Sequence, residues 1–241
     1  MKAAVFIVVT LLSGAIAGAV LGIINQLVVE PYIEMAIDIE NQNAIASGEL
    51  FDPNDYALYR IWQKTGGIVA GAVLGMSLGA LFGVVFAYGR PSVPGSNNKK
   101  KALILAGIMG FVLFVVPALK YPANPPAVGD PETIYYRQSL YVAFLALSGF
   151  SALGAAVLYR KIGGIEARKM IAPGIYAAIM IVGFLAMPPN PDLITAPMDL
   201  VTNFRVASAL TMVVFWVLLG LVFGTFWDRL KPHESAKLST F

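Results

Sequence analysis

Six stretches of the chain run for about twenty residues each without a charged side chain: 3–27, 65–89, 102–119, 138–159, 170–187 and 206–227. A helix rising ~1.5 Å per residue needs about 20 residues to cross the ~30 Å hydrocarbon core, so each stretch predicts a transmembrane helix. Barrel strands are excluded, because they need only about ten residues and alternate in polarity. The segments between the spans are rich in Pro, Asn, Gly and charge, as loops leaving a membrane require. The spans pair into three hairpins, and each second helix is approached through an aromatic-Arg pair: Tyr59-Arg60, Tyr136-Arg137 and Phe204-Arg205. Two of the outer loops share more, since Pro122-Ala123-Asn124-Pro125 follows one span and Pro188-Pro189-Asn190-Pro191 another. Tandem hairpins of one orientation suggest parallel repeats about an axis along the membrane normal. Loop chemistry and an interfacial belt of aromatic and basic residues account for the same pairs. The expected fold class is therefore an all-α integral membrane protein. A single membrane domain over 1–241 would hold six transmembrane helices in three similar hairpins, with a loop cap on the outer face.

Composition agrees with this reading: 58% of residues are hydrophobic and 13% charged, against about a quarter charged in soluble domains. The net charge of +3 does not indicate nucleic-acid binding, because the basic residues are scattered among short loops. Sorting them by loop gives an orientation instead. Lys2, the loops 90–101 and 160–169 and the tail 228–241 hold twelve Lys and Arg against three acids. The loops 28–64, 120–137 and 188–205 hold five against eleven. The positive-inside rule then places both termini in the cytoplasm and the acidic loops outside. The first apolar run continues past Ala15-Ile16-Ala17 to Ile24, too long for a signal-peptide core, and is expected to stay as an uncleaved span.

Glycines recur every fourth residue, at Gly14, Gly18 and Gly22 in the first span and at Gly67, Gly71, Gly75, Gly79 and Gly83 in the second. Such a stripe, a glycine zipper, forms a groove in which a neighbouring backbone can lie, within a bundle or a homo-oligomer. A glycine-lined permeation path is the other reading. The span interiors carry hydroxyls (Thr10, Ser13, Ser77, Ser148, Ser151, Ser208, Thr211) but no ionisable group, so a proton relay there is not expected and any site belongs at the outer mouth. In loop 28–64, Glu30, Glu34 and Asp38 lie four apart and would stack on one face of a helix starting at Pro31. Seven acids lie between Glu30 and Asp55, which reads either as a divalent-cation funnel or as a solvated acidic face. Asp52-Pro53-Asn54-Asp55 resembles half a calcium loop without its glycine and reads as a turn. Loop 120–137 has four prolines, and Lys120, Asp130, Glu132 and Arg137 are candidates to pair across it, as a rigid lid or as a tight connection.

The chain has no cysteine and one histidine, His233, expected to be solvent-exposed in the tail. It contains no serine-hydrolase elbow, Walker loop, zinc-protease motif or dinucleotide fingerprint, so no enzymatic activity is expected. The nine methionines form no cluster that would relay a soft metal.

The segment 119–134, Leu-Lys-Tyr-Pro-Ala-Asn-Pro-Pro-Ala-Val-Gly-Asp-Pro-Glu-Thr-Ile, and the segment 59–67, Tyr-Arg-Ile-Trp-Gln-Lys-Thr-Gly-Gly, resemble the CbtA family of predicted cobalt transporter subunits, in an archaeal version. The resemblance implies a membrane subunit for divalent-cation uptake, cobalt being the cation, linked to cobalamin metabolism. It also implies a small single-span partner of the CbtB kind that carries histidines. Many bacterial relatives have a histidine-rich stretch in the first outer loop, whereas residues 28–64 here have none. Co²⁺ favours imidazole and mixed nitrogen and oxygen ligands. Either the loop carboxylates collect the metal, or a partner supplies nitrogen ligands, or this member acts differently. On the transport reading Co²⁺ is a transient passenger and no cofactor is covalently bound. Glu30, Glu34 and Asp38 would attract cations, and Arg60, Lys120, Asn124, Asp130, Arg137, Asn190 and Arg205 would shape the outer vestibule. Energy would come from a cation gradient, the membrane potential or another chain. The competing expectation is a non-transporting structural or accessory subunit of a larger membrane complex.

Overall fold

The computed structural model describes residues 2–48, 53–126, 128–162 and 165–234. Among them it is all-helical: α1 Ala3–Val28, α2 Glu30–Ala46, α3 Pro53–Gly89, α4 Asn98–Lys120, α5 Ile134–Lys161, α6 Ile165–Ala186 and α7 Met198–Leu230. Six of these, all but α2, are long and apolar enough to cross a membrane. The expected turn at Asp52 lies outside the described residues, as does the end of the tail.

The chain divides into two compact units, one of residues 1–108 with 206–241 and one of 109–205. In the first, α1 and α3 lie backbone to backbone. A Cβ added to Gly18 would come within 2.8 Å of the Gly75 Cα, one on Gly75 within 2.7 Å of the Gly18 Cα, and one on Gly79 within 2.8 Å of the Gly14 Cα. Lipid tails are as apolar as side chains, so the drive for this pairing is close van der Waals contact, which only glycine permits at that separation. Gly22 and Gly71 belong to the same interface, Gly67 meets the Gln26 side chain, and the Thr10 methyl fills the space beside Gly83. Toward the C-terminal end of α7, Phe215, Leu219, Phe223 and Trp227 recur every four residues and are fully or almost fully buried. Phe223 stands edge-on to Phe82 at 4.9 Å and to Phe86 at 5.1 Å, while Trp227 does so to Phe86 at 4.9 Å. On the adjoining face of α7, Gly220 and Gly224 receive Ala106, Leu103, Ala102 and Lys99 of α4. His233 is exposed as expected, with its ring stacked parallel to the Trp227 indole at 6.0 Å.

In the second unit, Val116 of α4, Phe144 of α5 and Met180 of α6 form the core, flanked by Tyr121, Leu147, Tyr176 and Met187. A smaller cluster of Val128, Ala196 and Val201 joins the two outer loops. Within α4 the backbone widens over Phe111–Val115, and the Val116 N–H reaches back to the Phe111 carbonyl, five residues away instead of four. The next residue, Pro117, has no N–H to donate, so the local ladder is already interrupted there.

Candidate functional site

The acids of segment 28–64 in the first unit begin at the turn into α2. Pro31 occupies the first turn of this helix, a position where its missing N–H costs nothing. Glu30 is 9% exposed and forms an ion pair with Arg60, itself 7% exposed, which also donates to Gln63. Lys64 binds Glu34 and stands 3.8 Å from Glu30, and its carbonyl accepts from the Gln26 amide. The like charges of Glu30 and Glu34 are thus compensated by two cations from α3 one turn apart. Glu30 and Glu34 form with Arg60 and Lys64 a cluster of zero formal charge. Asp38 and Glu40, farther along α2, are exposed and stand outside that cluster. Among the described residues no three His, Asp or Glu side chains converge where one metal ion could be held.

The second unit carries a clasp that ties loop 120–137 to loop 188–205. Its centre is Asp192, whose side chain is 8% exposed. The Asp192 carboxylate accepts from the Asp130 N–H at 2.9 Å and from the Thr133 hydroxyl at 2.7 Å, and it pairs with the Arg137 guanidinium at 2.9 Å. Arg137 also donates to the carbonyls of Val128 and Asp130. Gly129 is held at φ +98°, and a Cβ there would strike Asp192 and Arg137, so glycine is required twice over. In return, Arg205 at the third hairpin donates to the Ala123 carbonyl and the Asn124 side chain of the second loop. Asn190 shapes its own loop by accepting from the Asp192 N–H. Lys120 donates to the Phe184 carbonyl at 2.7 Å and lies over the Phe184 ring, and the Tyr121 hydroxyl donates to the Pro188 carbonyl at 2.6 Å. Burial, and secondarily Tyr136, hold that hydroxyl above its ordinary value of 10.0.

This differs from the pairing expected within loop 120–137. Arg137 pairs across to Asp192, Lys120 caps the end of α6, and the Asp130 carboxylate accepts from the Glu132 N–H. Asp192 was not singled out from the sequence. The signal that points to it is the matched Pro-x-Asn-Pro motif: the arginine after each motif bonds the segment at the other.

The hydroxyls that form hydrogen bonds inside the spans follow two patterns. Thr10, Ser77 and Thr211 donate to carbonyls of their own helices, as expected. Ser148 does not: fully buried, it crosses from α5 to the Val112 carbonyl of α4 at 2.6 Å and meets the Tyr176 hydroxyl of α6 at 2.9 Å.

No curated protein and no solved structure matches the chain. A family profile does, the one described as "Probable cobalt transporter subunit (CbtA)", over residues 3–228. With six candidate spans and nearly the whole length matched, the chain belongs to the CbtA family of probable cobalt transporter subunits.

Proposed function

We propose that this protein is a membrane subunit for uptake of a divalent cation, cobalt first among them, with both termini in the cytoplasm. The observation that carries this reading is the family match over residues 3–228. The charge pattern supports it. Exposed acids on α2 face the side that the positive-inside rule makes external, while the spans hold no charge to compete for the ion. Glu30 and Glu34 are engaged by Arg60 and Lys64, so on α2 it is Asp38 and Glu40 that are left to draw cations toward the outer surface. Weak, exposed attraction suits a transported ion, which must leave as readily as it arrives. The outer loops around Arg60, Lys120, Asn124, Asp130, Arg137, Asn190 and Arg205 are ordered by their mutual bonds and frame the outer surface of each unit. A partner chain with imidazole ligands, of the CbtB kind, supplies the nitrogen donors that this chain lacks outside the tail.

The second reading, a non-transporting accessory subunit, draws on one observation: among the described residues no metal-holding group of three side chains forms. Uptake of radioactive cobalt separates the two. Cells lacking the protein are expected to lose uptake and wild-type protein to restore it, with Asp38→Asn/Glu40→Gln restoring less at low ionic strength. Unchanged uptake on deletion overturns the transport reading.

A further inference from the structure

The widened turn of α4 has its own set of partners. In a regular α-helix the Val116 N–H would bond to the Val112 carbonyl. Here it bonds to Phe111, and Ser148 takes the vacated carbonyl of Val112. Serine has one hydroxyl proton, and it goes to Val112, so the Tyr176 hydroxyl is the donor in its 2.9 Å contact with Ser148. Three spans are therefore joined by a chain running from Tyr176 through Ser148 to Val112, inside the apolar part of the second unit. Five and six residues beyond the widened turn lie Lys120 and Tyr121, which hold Phe184 and Pro188 at the outer surface.

We propose that the Phe111–Val115 turn is a two-position switch, latched in its wide form by Ser148 and Tyr176, and that its return to α-helical geometry releases the α4 end of the outer clasp. The two forms balance. If the Val116 N–H returns to the Val112 carbonyl, Ser148 turns its proton to a carbonyl of its own helix, as serines in spans commonly do. Every buried donor then keeps an acceptor, and Pro117 contributes no N–H in either form. The conversion redistributes one residue. The part of α4 after the turn rotates by about 100° and shifts by about 1.5 Å along its axis, so each Cα moves by roughly 4 Å and side-chain tips by more. Lys120 and Tyr121 cannot hold Phe184 and Pro188 through such a rotation, so the hydroxyl chain at mid-membrane controls contacts at the outer face. The device does not depend on which ion the protein carries, or on whether it carries one.

The absence of native cysteine allows a direct test. Leu119→Cys and Leu185→Cys place spin labels at two exposed positions, one on α4 beyond the turn and one at the end of α6. The distance distribution is read for the full-length protein in liposomes. In the otherwise native protein a single short-distance population is expected. Ser148→Ala, which removes the latch, should populate a second distance displaced by ~3 Å or more, and Ser148→Thr, which keeps the hydroxyl, should restore the first. Deletion of Val115 removes the extra residue of the wide turn, so it should hold the first distance and abolish the response to Ser148→Ala. An unchanged distribution in Ser148→Ala overturns the proposal, as does a deletion variant that still responds. Should Ser148→Ala fail to fold, Tyr176→Phe removes the other half of the latch, and it should shift the distribution in the same direction.

Discussion

Replacing Asp192 by Ala removes the carboxylate on which loop 120–137 converges: the Asp130 N–H and the Thr133 hydroxyl donate to it, and the Arg137 guanidinium, whose Nε–H goes to the Thr133 hydroxyl, forms an ion pair with it. The carboxylate is largely buried, whereas the arginine keeps the Val128 and Asp130 carbonyls and part of its exposure to water. A hydrogen bond to an ionised group contributes about 1.5–3 kcal/mol. Taken at the lower end, the two bonds to the carboxylate come to about 3 kcal/mol for Asp192→Ala, and the lost ion pair adds little because Arg137 retains other acceptors. Arg137→Ala leaves Asp192 with two donors and should cost about 2 kcal/mol, and the double variant should show a coupling of about 1.5 kcal/mol. The measurement is reversible unfolding of the purified protein in detergent, together with the rate at which an added protease cuts loops 120–137 and 188–205 in proteoliposomes. Both loops should become cleavable together in Asp192→Ala, because each holds the other. A loss below about 0.5 kcal/mol with both loops still protected would show that the clasp is not what orders the outer loops.

Other consequences are separable. Gly75→Ala drives a methyl into the backbone of α1 and should destabilise by about 1–3 kcal/mol, while Gly154→Ala, which has open space around it, should be neutral or slightly stabilising; thermal unfolding of the two variants checks the contrast. Glu30→Ala strands a buried guanidinium and should cost about 3 kcal/mol, whereas Glu34→Ala breaks a half-exposed pair with Lys64 and should cost under about 1 kcal/mol by the same measurement. The raised Tyr121 hydroxyl gives the clasp an alkaline limit. Because its value in the folded protein lies above the unfolded one, its bond to Pro188 is intact below about pH 10 and is lost as pH climbs beyond the folded value; Tyr121→Phe should flatten that alkaline loss of loop protection.

The six spans were legible in the sequence because a run of twenty apolar residues has one physical solution in a bilayer, and the packing faces of α1 and α3 were legible because glycines four apart mark a face that a backbone can approach, although not that each face meets the other. The outer partners were less so. Loop 28–64 shows a column of acids without a base until Arg60, and only the fold reveals that Arg60 and Lys64 lie one turn apart on α3 and that both reach back to α2. Arg137 has two acids within seven residues in its own loop, yet its partner is Asp192, a long way off in sequence. Proximity along a chain predicts helical pairs, where spacing fixes geometry, and predicts little in a proline-stiffened loop whose path is set by its ends.

Ser148 shows the same limit inside the membrane. From sequence a span serine is expected to bond its own helix, because that acceptor is always present four residues back. What overrides this is the wide turn on another helix, which frees the Val112 carbonyl at a depth where no water can satisfy it. A vacant carbonyl buried in lipid costs more than a serine gains from a local bond, so the hydroxyl goes where the need is larger. The sequence does carry one half of the cause in Pro117, which interrupts the ladder of α4. The other half is the placing of Ser148 and Tyr176 opposite that interruption, and this depends on three helices meeting. Local pattern therefore determines where the spans lie, and the unmatched backbone groups within them determine which polar side chains cross between helices.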